Sequence, residues 1–464
     1  MLTHLHINNF KSWRDTGDIR LAPLTVFFGS NSSGKSSINQ FLLMLKQTAQ
    51  SPDRKRVLHP GDEKTAIDLG TYKDIIYMHE ESERISFKLR WNLTLERKIK
   101  NVLHPGSFRG KDICFNTEIG LSGDTKKALV VHKMSYTLGN LSKDGLKVVM
   151  NRKEAAKDKY ELKAEGYNLM RKQGRGWPLP PPIRFYGFPD EVTAHYQNAD
   201  FVQDFALDLE NCLKNIYYLG PLREHPWRSY TWSGEIPEHV GWVGERAVDA
   251  ILAASDRKIN KGKGTTYREF KTIIAHWLKE MGLIESFEVK GIAPERRDYE
   301  VLVKTFGMKE KVNITDVGFG VSQVLPVIVQ CFYSPADSTI IMEQPEIHLH
   351  PSVQASLADL FIETINARED GATRNIQLLI ESHSEHFLRR LQRRIAESKV
   401  APKDVAIYFC QADPEGSNIK SLDVNLLGNI LNWPENFFGD EIGDLIAMTK
   451  AAIQPKRRGS EYEK

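Results

Sequence analysis

The stretch Gly29-Ser30-Asn31-Ser32-Ser33-Gly34-Lys35-Ser36 decides the fold of this chain. It fits the pattern G-x-x-x-x-G-K-[ST] of a phosphate-binding loop (P-loop), whose backbone N–H groups surround phosphate oxygens. The apolar run Leu24–Phe28 predicts a buried strand before it, and apolar residues at helical spacing from Ile38 to Lys46 predict a helix after it. A Ser/Gly-rich turn could carry the same letters by chance, but the flanking strand and helix favour a nucleotide site.

The loop predicts which residues meet the phosphates. In such loops the lysine, here Lys35, reaches the β and γ phosphates, and the next hydroxyl, here Ser36, ligates Mg²⁺. The N-terminus of the following helix adds partial positive charge. The residues that we expect around the phosphates are Gly29, Asn31, Ser32, Ser33, Gly34, Lys35, Ser36 and Ser37.

Composition and charge place the chain among ordinary globular proteins. Its 464 residues suffice for two or three domains, or for one large domain with an insertion, and 41% of them are hydrophobic and 27% charged. No apolar run approaches the ~20 residues that span a bilayer, and the first residues lack a signal-peptide layout. The four cysteines lie far apart, which predicts neither a disulfide framework nor a metal site. A net charge of +3 is too small to indicate nucleic-acid binding by itself. We therefore expect a cytoplasmic protein with no membrane partner.

The first two parts of the chain differ in pattern. Residues 1–50 hold the P-loop and its flanking elements. Residues 51–300 begin with short alternating stretches, such as Ile85–Trp91, that predict antiparallel strands. They continue with helical patterns at Val202–Ile216 and at Ala247–Leu283, the latter broken near residue 260.

The third part, residues 301–464, returns to α/β character. Near-continuous apolar runs, which are typical of buried parallel strands, occur at Ser338–Met342, Gln377–Ile380 and Val405–Cys410. Because the P-loop comes at the start of the chain and these strands at its end, we predict one nucleotide-binding domain whose halves are separated by the insertion 51–300.

Three further elements predict parts of the same site. Asp316–Gln323 places glycines, a serine and a glutamine at a helix start, which can bind an anion, although Ser322 could be a simple N-cap. Glu343 follows an apolar strand, where a carboxylate often anchors Mg²⁺ in P-loop enzymes, although acidic residues are common at strand ends. His383 follows the next strand and can contact a γ-phosphate or an attacking water, although a lone histidine is more often structural.

Taken in order, these elements resemble the ABC-type ATPases, which include the SMC proteins and the double-strand-break repair heads. They resemble more closely the OLD-like bacterial ATPases called AAA15, and among them the subgroup with the domain of unknown function DUF3696. The resemblance implies an α/β fold, an ABC-type, SMC-like P-loop head with a β-rich and helical insertion. It rests on Asn8–Trp13, the P-loop, Tyr218–Arg223, Asp316–Gln323, Glu343–Pro351, Glu381–His386 and Trp433–Asp440.

The resemblance also implies a mechanism in which two heads sandwich two ATP molecules. In this scheme Glu343 supports Mg²⁺ together with Ser36, His383 senses the γ-phosphate, and Lys11 and Ser12 border the nucleotide. ATP then joins the two copies, and hydrolysis removes the contact that its γ-phosphate makes. The residues implied to contact the γ-phosphate held by the partner head are Gly318, Gly320, Ser322 and Gln323.

One residue departs from the ABC pattern. The position after the Mg²⁺-anchoring acid is normally a glutamate that orients the attacking water, and here it is Gln344. An amide can hold water but cannot accept its proton. We therefore predict slow hydrolysis and a long-lived ATP-bound dimer, with Glu346 or Glu381 as alternative bases.

The sequence also bears on the effector. OLD nucleases append a Toprim domain, but the residues after His383 are too few for one, and Asp413-Pro414-Glu415 is typical of a turn. The resemblance extends to the larger subunit of Septu-type phage defence, which works beside an HNH nuclease, and to the ATPase of the PARIS system, which has a Toprim effector. The first hypothesis is therefore an ATPase subunit of an anti-phage system that restrains a separate nuclease of either type. A DNA-repair ATPase of RecF or SMC type that binds DNA directly, and an ATP-dependent scaffold with negligible turnover, remain open.

Charged segments leave alternatives open. The arginines of the helix Arg389–Arg394 form a basic face that binds DNA or an acidic partner, or is simply solvated. Arg152–Lys172 predicts a solvated helix or a hairpin arm. His348 and His350 form either a metal site or a turn after the carboxylate strand, and the resemblance favours the turn.

Overall fold

The computed structural model describes residues 1–101, 106–123, 127–153, 159–174, 178–262, 264–293, 296–434, 437, 443 and 446–450. Parts of two segments named above, Arg152–Lys172 and Trp433–Asp440, lie outside the described residues. No helix in the described ranges has the length and apolar character needed to cross a membrane.

Helices and strands occur along the whole described chain. The helices are α1 (Lys35–Gln50), α2 (Tyr72–Ile75), α3 (Glu191–His195), α4 (Phe201–Lys214), α5 (Ala247–Ala253), α6 (Phe270–Glu280), α7 (Phe319–Tyr333), α8 (Pro351–Asn366) and α9 (Glu385–Ala396). Single 3₁₀ turns occur at Tyr77–His79, Ile314–Asp316 and Pro402–Asp404. The strands are β1 (Leu2–Phe10), β2 (Trp13–Asp15), β3 (Ile19–Arg20), β4 (Leu24–Gly29), β5 (Ile85–Lys100), β6 (Ser107–Leu121), β7 (Leu129–Leu138), β8 (Leu146–Arg152), β9 (Tyr160–Glu165), β10 (Ile216–Leu219), β11 (Tyr230–Thr231), β12 (Lys258–Asn260), β13 (Tyr267–Glu269), β14 (Ser286–Gly291), β15 (Asp298–Lys304), β16 (Val312–Asn313), β17 (Thr339–Glu343), β18 (Arg368–Glu369), β19 (Ala372–Thr373), β20 (Gln377–Glu381), β21 (Val405–Asp413) and β22 (Gly416–Ser421).

A largely parallel sheet carries the P-loop. Its strands lie in the order β10-β17-β20-β4-β21-β22, and all of them are parallel except the edge strand β22. Every residue of β17 and β20 is buried, and neighbouring residues such as Ile340 and Ile341 belong to different hydrophobic cores on the two faces. Strands covered on both faces are expected to be continuously apolar, and this confirms the prediction of buried parallel strands. The carboxyl ends of β4, β17 and β20 therefore meet at one edge of the sheet.

An antiparallel sheet faces the other side of the P-loop helix. Its strands lie in the order β2-β1-β5-β6-β7-β8-β9, and β3 pairs with β1. Aromatic rings connect it to the helices: Phe10 contacts Phe41 of α1 at 5.0 Å between centroids, and Tyr136 stacks on Phe205 of α4 at 5.7 Å. The alternating stretches thus form antiparallel strands as predicted, and strand β9, in the described part of Arg152–Lys172, pairs antiparallel with β8.

The remaining elements form a lobe next to β10 and β17. Helices α5, α6 and α7 pack with the small sheets β11-β15-β14, to which β16 adds, and β13-β12-β18-β19. The prediction of helix across Ala247–Leu283, broken near residue 260, is right for α5, for α6 and for the break, but the hairpin of strands β12 and β13 beside the break was not predicted. This hairpin is held by pairing of β12 with β18, a distant partner that local spacing does not reveal.

Candidate functional site

A cavity opens at the edge of the sheet where β4 and β20 end. Its volume is about 330 Å³. The P-loop forms one wall, and the ends of β17 and β20 form another. The residues that line it are Ser12, Asn31, Ser32, Ser33, Gly34, Lys35, Ser36, Ser37, Gln40, Gln344, Glu381 and His383.

The P-loop depends on two glycines. Gly29 has φ +144°, and a Cβ there would lie 2.0 Å from the Cys410 carbonyl oxygen on β21. Gly34 has φ +84° and turns the chain into α1. The Lys35 ammonium donates to the carbonyl oxygens of Gly29 (3.1 Å) and Ser30 (2.7 Å), and burial lowers its pKa. The lysine is therefore folded over the loop, where a phosphate can replace the two carbonyls as its partner.

The acid closest to the P-loop is Glu381. The Ser36 hydroxyl donates to its Oε1 at 3.1 Å, and the Lys35 Nζ lies 4.0 Å from the same oxygen. The predicted Mg²⁺ anchor, Glu343, lies one strand further away, paired in register with Glu381. Burial, and then the charge of Glu381, raise the pKa of Glu343 to about 7.

The donor set fits a magnesium ion. Mg²⁺ in nucleotide enzymes is usually held by a hydroxyl, one or two carboxylates, phosphate oxygens and water. Ser36 and Glu381 are already in contact, and the buried oxygens Oε1 of Glu343 and Oε2 of Glu381 have no hydrogen-bond partner among the described residues. Sequence reasoning named Glu381 only as an alternative base.

Gln344 and His383 form the wall opposite the P-loop, and Glu346 lies behind it. Gln344 has φ +45°, its backbone N–H donates to the Glu381 carbonyl oxygen at 2.8 Å, and its side chain lines the cavity. Glu346 is buried outside the lining and accepts the His383 backbone N–H at 2.6 Å, so it positions the histidine. Burial, and then the charge of Lys35, lower the pKa of His383, which favours a neutral imidazole at the cavity.

The N-terminal turn borders the loop. Ser12 lines the cavity, whereas the Lys11 ammonium donates to Gln40 of α1 at 2.6 Å. The Trp13 indole N–H donates to the Gly34 carbonyl oxygen at 3.0 Å. Gln40 was not predicted, although its position four residues after Ser36, on the same helix face, was a usable signal.

The structure does not bring Asp316–Gln323 to the P-loop of the same chain. Helix α7 begins at Phe319 after Gly318, so Ser322 lies inside the first turn and is not its N-cap; its hydroxyl donates to the Phe319 carbonyl oxygen at 2.8 Å. Gly318, Gly320, Ser322 and Gln323 are absent from the lining of the P-loop cavity.

Two residues of Tyr218–Arg223 lie beside the buried acids Glu343 and Glu346, and the sequence predicted a role for neither. The Tyr218 hydroxyl lies near Glu343, and burial raises the pKa of Tyr218. The Arg223 guanidinium lies near Glu343 and Glu346 and is 7% exposed. Their position after an apolar strand next to β17 was the available signal.

The arginines of α9 are paired within the chain. Arg389 pairs with Glu385, one turn earlier, and Arg393 pairs with Glu397, one turn later. Arg390 and Arg394 share Asp359 of α8. These pairs favour a solvated face over a DNA-binding one.

The two candidate metal-binding histidines have other contacts. The His350 ring accepts the backbone N–H of Ser352 at the start of α8, and the His348 ring packs against Phe319.

Comparison with known proteins adds a family. A family model described as "AAA ATPase domain" (AAA_15) matches residues 1–174 and 245–388, and one described as "Protein of unknown function (DUF3696)" matches residues 400–447. No curated protein matches the chain.

Solved structures with similar folds include SMC heads. The structure titled "Crystal structure of the SmcHead bound to the C-winged helix domain of ScpA" covers 92% of this chain and 98% of its own, with 12% identity and a TM-score of 0.43. An SMC head domain from Thermotoga maritima covers 91% of this chain and 99% of its own, with 11% identity and a TM-score of 0.40.

Proposed function

This chain belongs to the AAA_15 family of AAA ATPase domains and is an ATPase, and on that premise we propose that it is a slowly hydrolysing subunit of a bacterial anti-phage system. In this proposal two copies close around ATP and Mg²⁺, and the dimer controls a separate effector nuclease of the HNH or Toprim type.

The observation that carries the proposal is the division of the site within one chain. The P-loop cavity is lined by Lys35, Ser36 and Glu381, a lysine, a hydroxyl and a carboxylate suited to the phosphates and Mg²⁺, while Ser322 lines a different cavity. Apolar side chains near the start of α7 are solvent-exposed, with Phe319 at 41% and Trp227 at 60%. A second copy that presents its α7 start to the P-loop would cover this surface and complete the site.

The residues of the cavity then take specific roles. Lys35 binds the β and γ phosphates, and Ser36 holds Mg²⁺ with Glu381, Glu343 or both. His383 contacts the γ-phosphate, and Ser322 of the second copy contacts it from the other side. Gln344 holds the attacking water but accepts no proton, so turnover is slow and the ATP-bound dimer persists.

Native mass measurement tests this proposal. The protein is examined with and without ATP-Mg²⁺, alone and co-expressed with the product of the adjacent gene, with Lys35→Ala as the matched control. We expect an ATP-dependent dimer that retains a neighbouring nuclease, and a monomeric Lys35→Ala variant. A wild-type protein that stays monomeric with ATP and retains no neighbour would refute the proposal, and DNA-stimulated ATPase activity would then favour the repair-type ATPase.

A further inference from the structure

Arg223 is a buried cation without a hydrogen-bond acceptor. Its side chain lies in the loop after β10, and Nε, Nη1 and Nη2 are all shielded from solvent with no partner among the described residues. A guanidinium carries five donors and a permanent charge. Burying such a group unpaired is among the costliest arrangements in a folded protein, so a buried arginine normally has an anionic or carbonyl partner.

A second buried arginine shows how this fold treats a structural guanidinium. Arg374 is 1% exposed, and its Nη atoms donate to the carbonyl oxygens of Cys331, Phe332 and Ser334. Its Nε lies 3.4 Å from Glu369. The same chain therefore supplies acceptors to a buried arginine at one place and leaves Arg223 without them at another.

The surroundings of Arg223 indicate what its partner is. The charges of Glu343 and Glu346 attract it, but neither carboxylate lies within ion-pairing distance among the described contacts. Each of these acids is linked to a residue that lines the P-loop cavity. Gln344 follows Glu343 in the chain, and Glu346 accepts the backbone N–H of His383. Arg223 thus lies behind the cavity wall that faces the terminal phosphate of a nucleotide bound to Lys35.

We propose that Arg223 forms an oxyanion subsite that is filled by the γ-phosphate of ATP, and that it distinguishes ATP from ADP. The inference rests on the proposed function, because it requires the nucleotide to bind at the P-loop of this chain. A γ-phosphate supplies the acceptor oxygens that the guanidinium lacks, and a diphosphate leaves the subsite unfilled. Binding of ATP therefore moves the Arg223 loop toward the cavity.

Binding calorimetry with ADP-Mg²⁺ and with a non-hydrolysable ATP analogue tests the subsite. We expect Arg223→Gln to weaken binding of the analogue by about ten-fold or more, the effect of losing a charge-assisted hydrogen bond, and to leave ADP binding unchanged within about two-fold. Arg223→Lys, which keeps the charge but not the fork, should fall between Arg223→Gln and wild type. Arg374→Gln is the matched control: it should lower the unfolding temperature and leave the ratio of the two affinities unchanged.

The outcomes separate this inference from the proposed function. If Arg223→Gln and Arg223→Lys weaken the binding of ADP and of the ATP analogue equally, or weaken neither, the proposed γ-phosphate subsite is wrong while the P-loop assignment stands. Arg223-dependent binding of inorganic phosphate in the absence of nucleotide would also overturn it, because the subsite would then serve a free anion. A wild-type protein that binds neither nucleotide, or a Lys35→Ala variant that binds both normally, would refute the proposed function and the subsite together.

Discussion

In the proposed mechanism, Gln344 sets the rate at which bound ATP is hydrolysed. Its side chain lines the cavity next to His383, where the attacking water is expected. We predict that Gln344→Glu raises the steady-state ATPase rate by about 10²-fold, because a carboxylate can accept the proton of the water. Gln344→Met, which keeps the length and the left-handed backbone, should be no faster than wild type. Equal rates for wild type and Gln344→Glu would show that another group, such as Glu381, is the base.

The same residues show how far the site could be predicted. Asn31–Ser37 are consecutive in the chain, so the P-loop motif alone predicted that they form one wall of the cavity. Gln344 and His383 were placed there by their positions at strand ends. The contact between Ser36 and Glu381 depends on β20, not β17, lying beside β4, and this strand order is not encoded in any local pattern. Arg223 was missed for the same reason.

Among the elements, the turn from β4 into α1 has little room for a side chain at Gly34. A Cβ on Gly34 would lie 2.6 Å from Ser417 Oγ and 2.7 Å from Ser12 Oγ, whereas one on Gly17, also at positive φ, would meet nothing within 4 Å. We predict that Gly17→Ala costs roughly 1 kcal/mol of unfolding free energy and Gly34→Ala roughly 2–4 kcal/mol, because the clash adds to the backbone strain. Denaturant unfolding in the absence of nucleotide measures the unfolding free energies of both variants. Equal losses in Gly17→Ala and Gly34→Ala would show that crowding at Gly34 has no effect.

Helix α1 also carries a buried lysine, Lys46, whose pKa is lowered by folding. The Lys46 ammonium donates to the Ile216 carbonyl oxygen and lies 5.1 Å from the Tyr217 ring centroid. Burial lowers its pKa from 10.5 to about 8, against the opposing charge of Glu238. Between these values the unfolded chain binds more protons than the folded one, so this group stabilises the fold increasingly as pH rises from 8 to 10.5.

We therefore predict that Lys46→Met flattens the pH dependence of stability. The wild-type unfolding free energy, relative to that of Lys46→Met, should rise between pH 8 and 10.5 by up to roughly 3 kcal/mol. The subtraction removes the tyrosines and cysteines that titrate in the same window. A constant difference across the window would mean that Lys46 keeps its ordinary pKa in the folded state.

Helices and strands were predictable where the spacing of apolar residues within one short segment indicates the element. Buried parallel strands and the helix after the P-loop follow from short apolar patterns. The β12–β13 hairpin does not follow from such a pattern. It is stabilised by β18 and by the ion pair between Arg257 and Glu369, more than a hundred residues away. Likewise β22 returns to the N-terminal turn, where the Ser417 backbone N–H donates to the Ser12 carbonyl oxygen at 2.8 Å, a contact between the two ends of the described chain.

At the scale of the whole molecule, the proposed dimer requires that one chain carry two complementary half-sites. The P-loop cavity does not include the start of α7, so each complete site of a dimer would take its P-loop from one copy and its α7 start from the other. Gly318→Asp disables the second half-site without crowding the fold, because a Cβ there meets nothing within 4 Å and Asp is a favourable residue before a helix. Its carboxylate would repel the γ-phosphate of the partner's nucleotide.

Mixing variants tests this arrangement directly. Lys35→Ala and Gly318→Asp should each be inactive alone, while an equal mixture should recover ATPase activity up to about half of the wild-type rate, since only mixed dimers have an intact ATP site and each has one of two. A double variant with both changes in one chain, mixed with either single variant, should recover nothing, because no pairing then restores a whole site. Full activity of Gly318→Asp alone would show that each chain hydrolyses ATP without a second copy, and the absence of α7 from the P-loop cavity would then have a purely structural origin. No recovery in the mixture of the two single variants would likewise contradict the shared site.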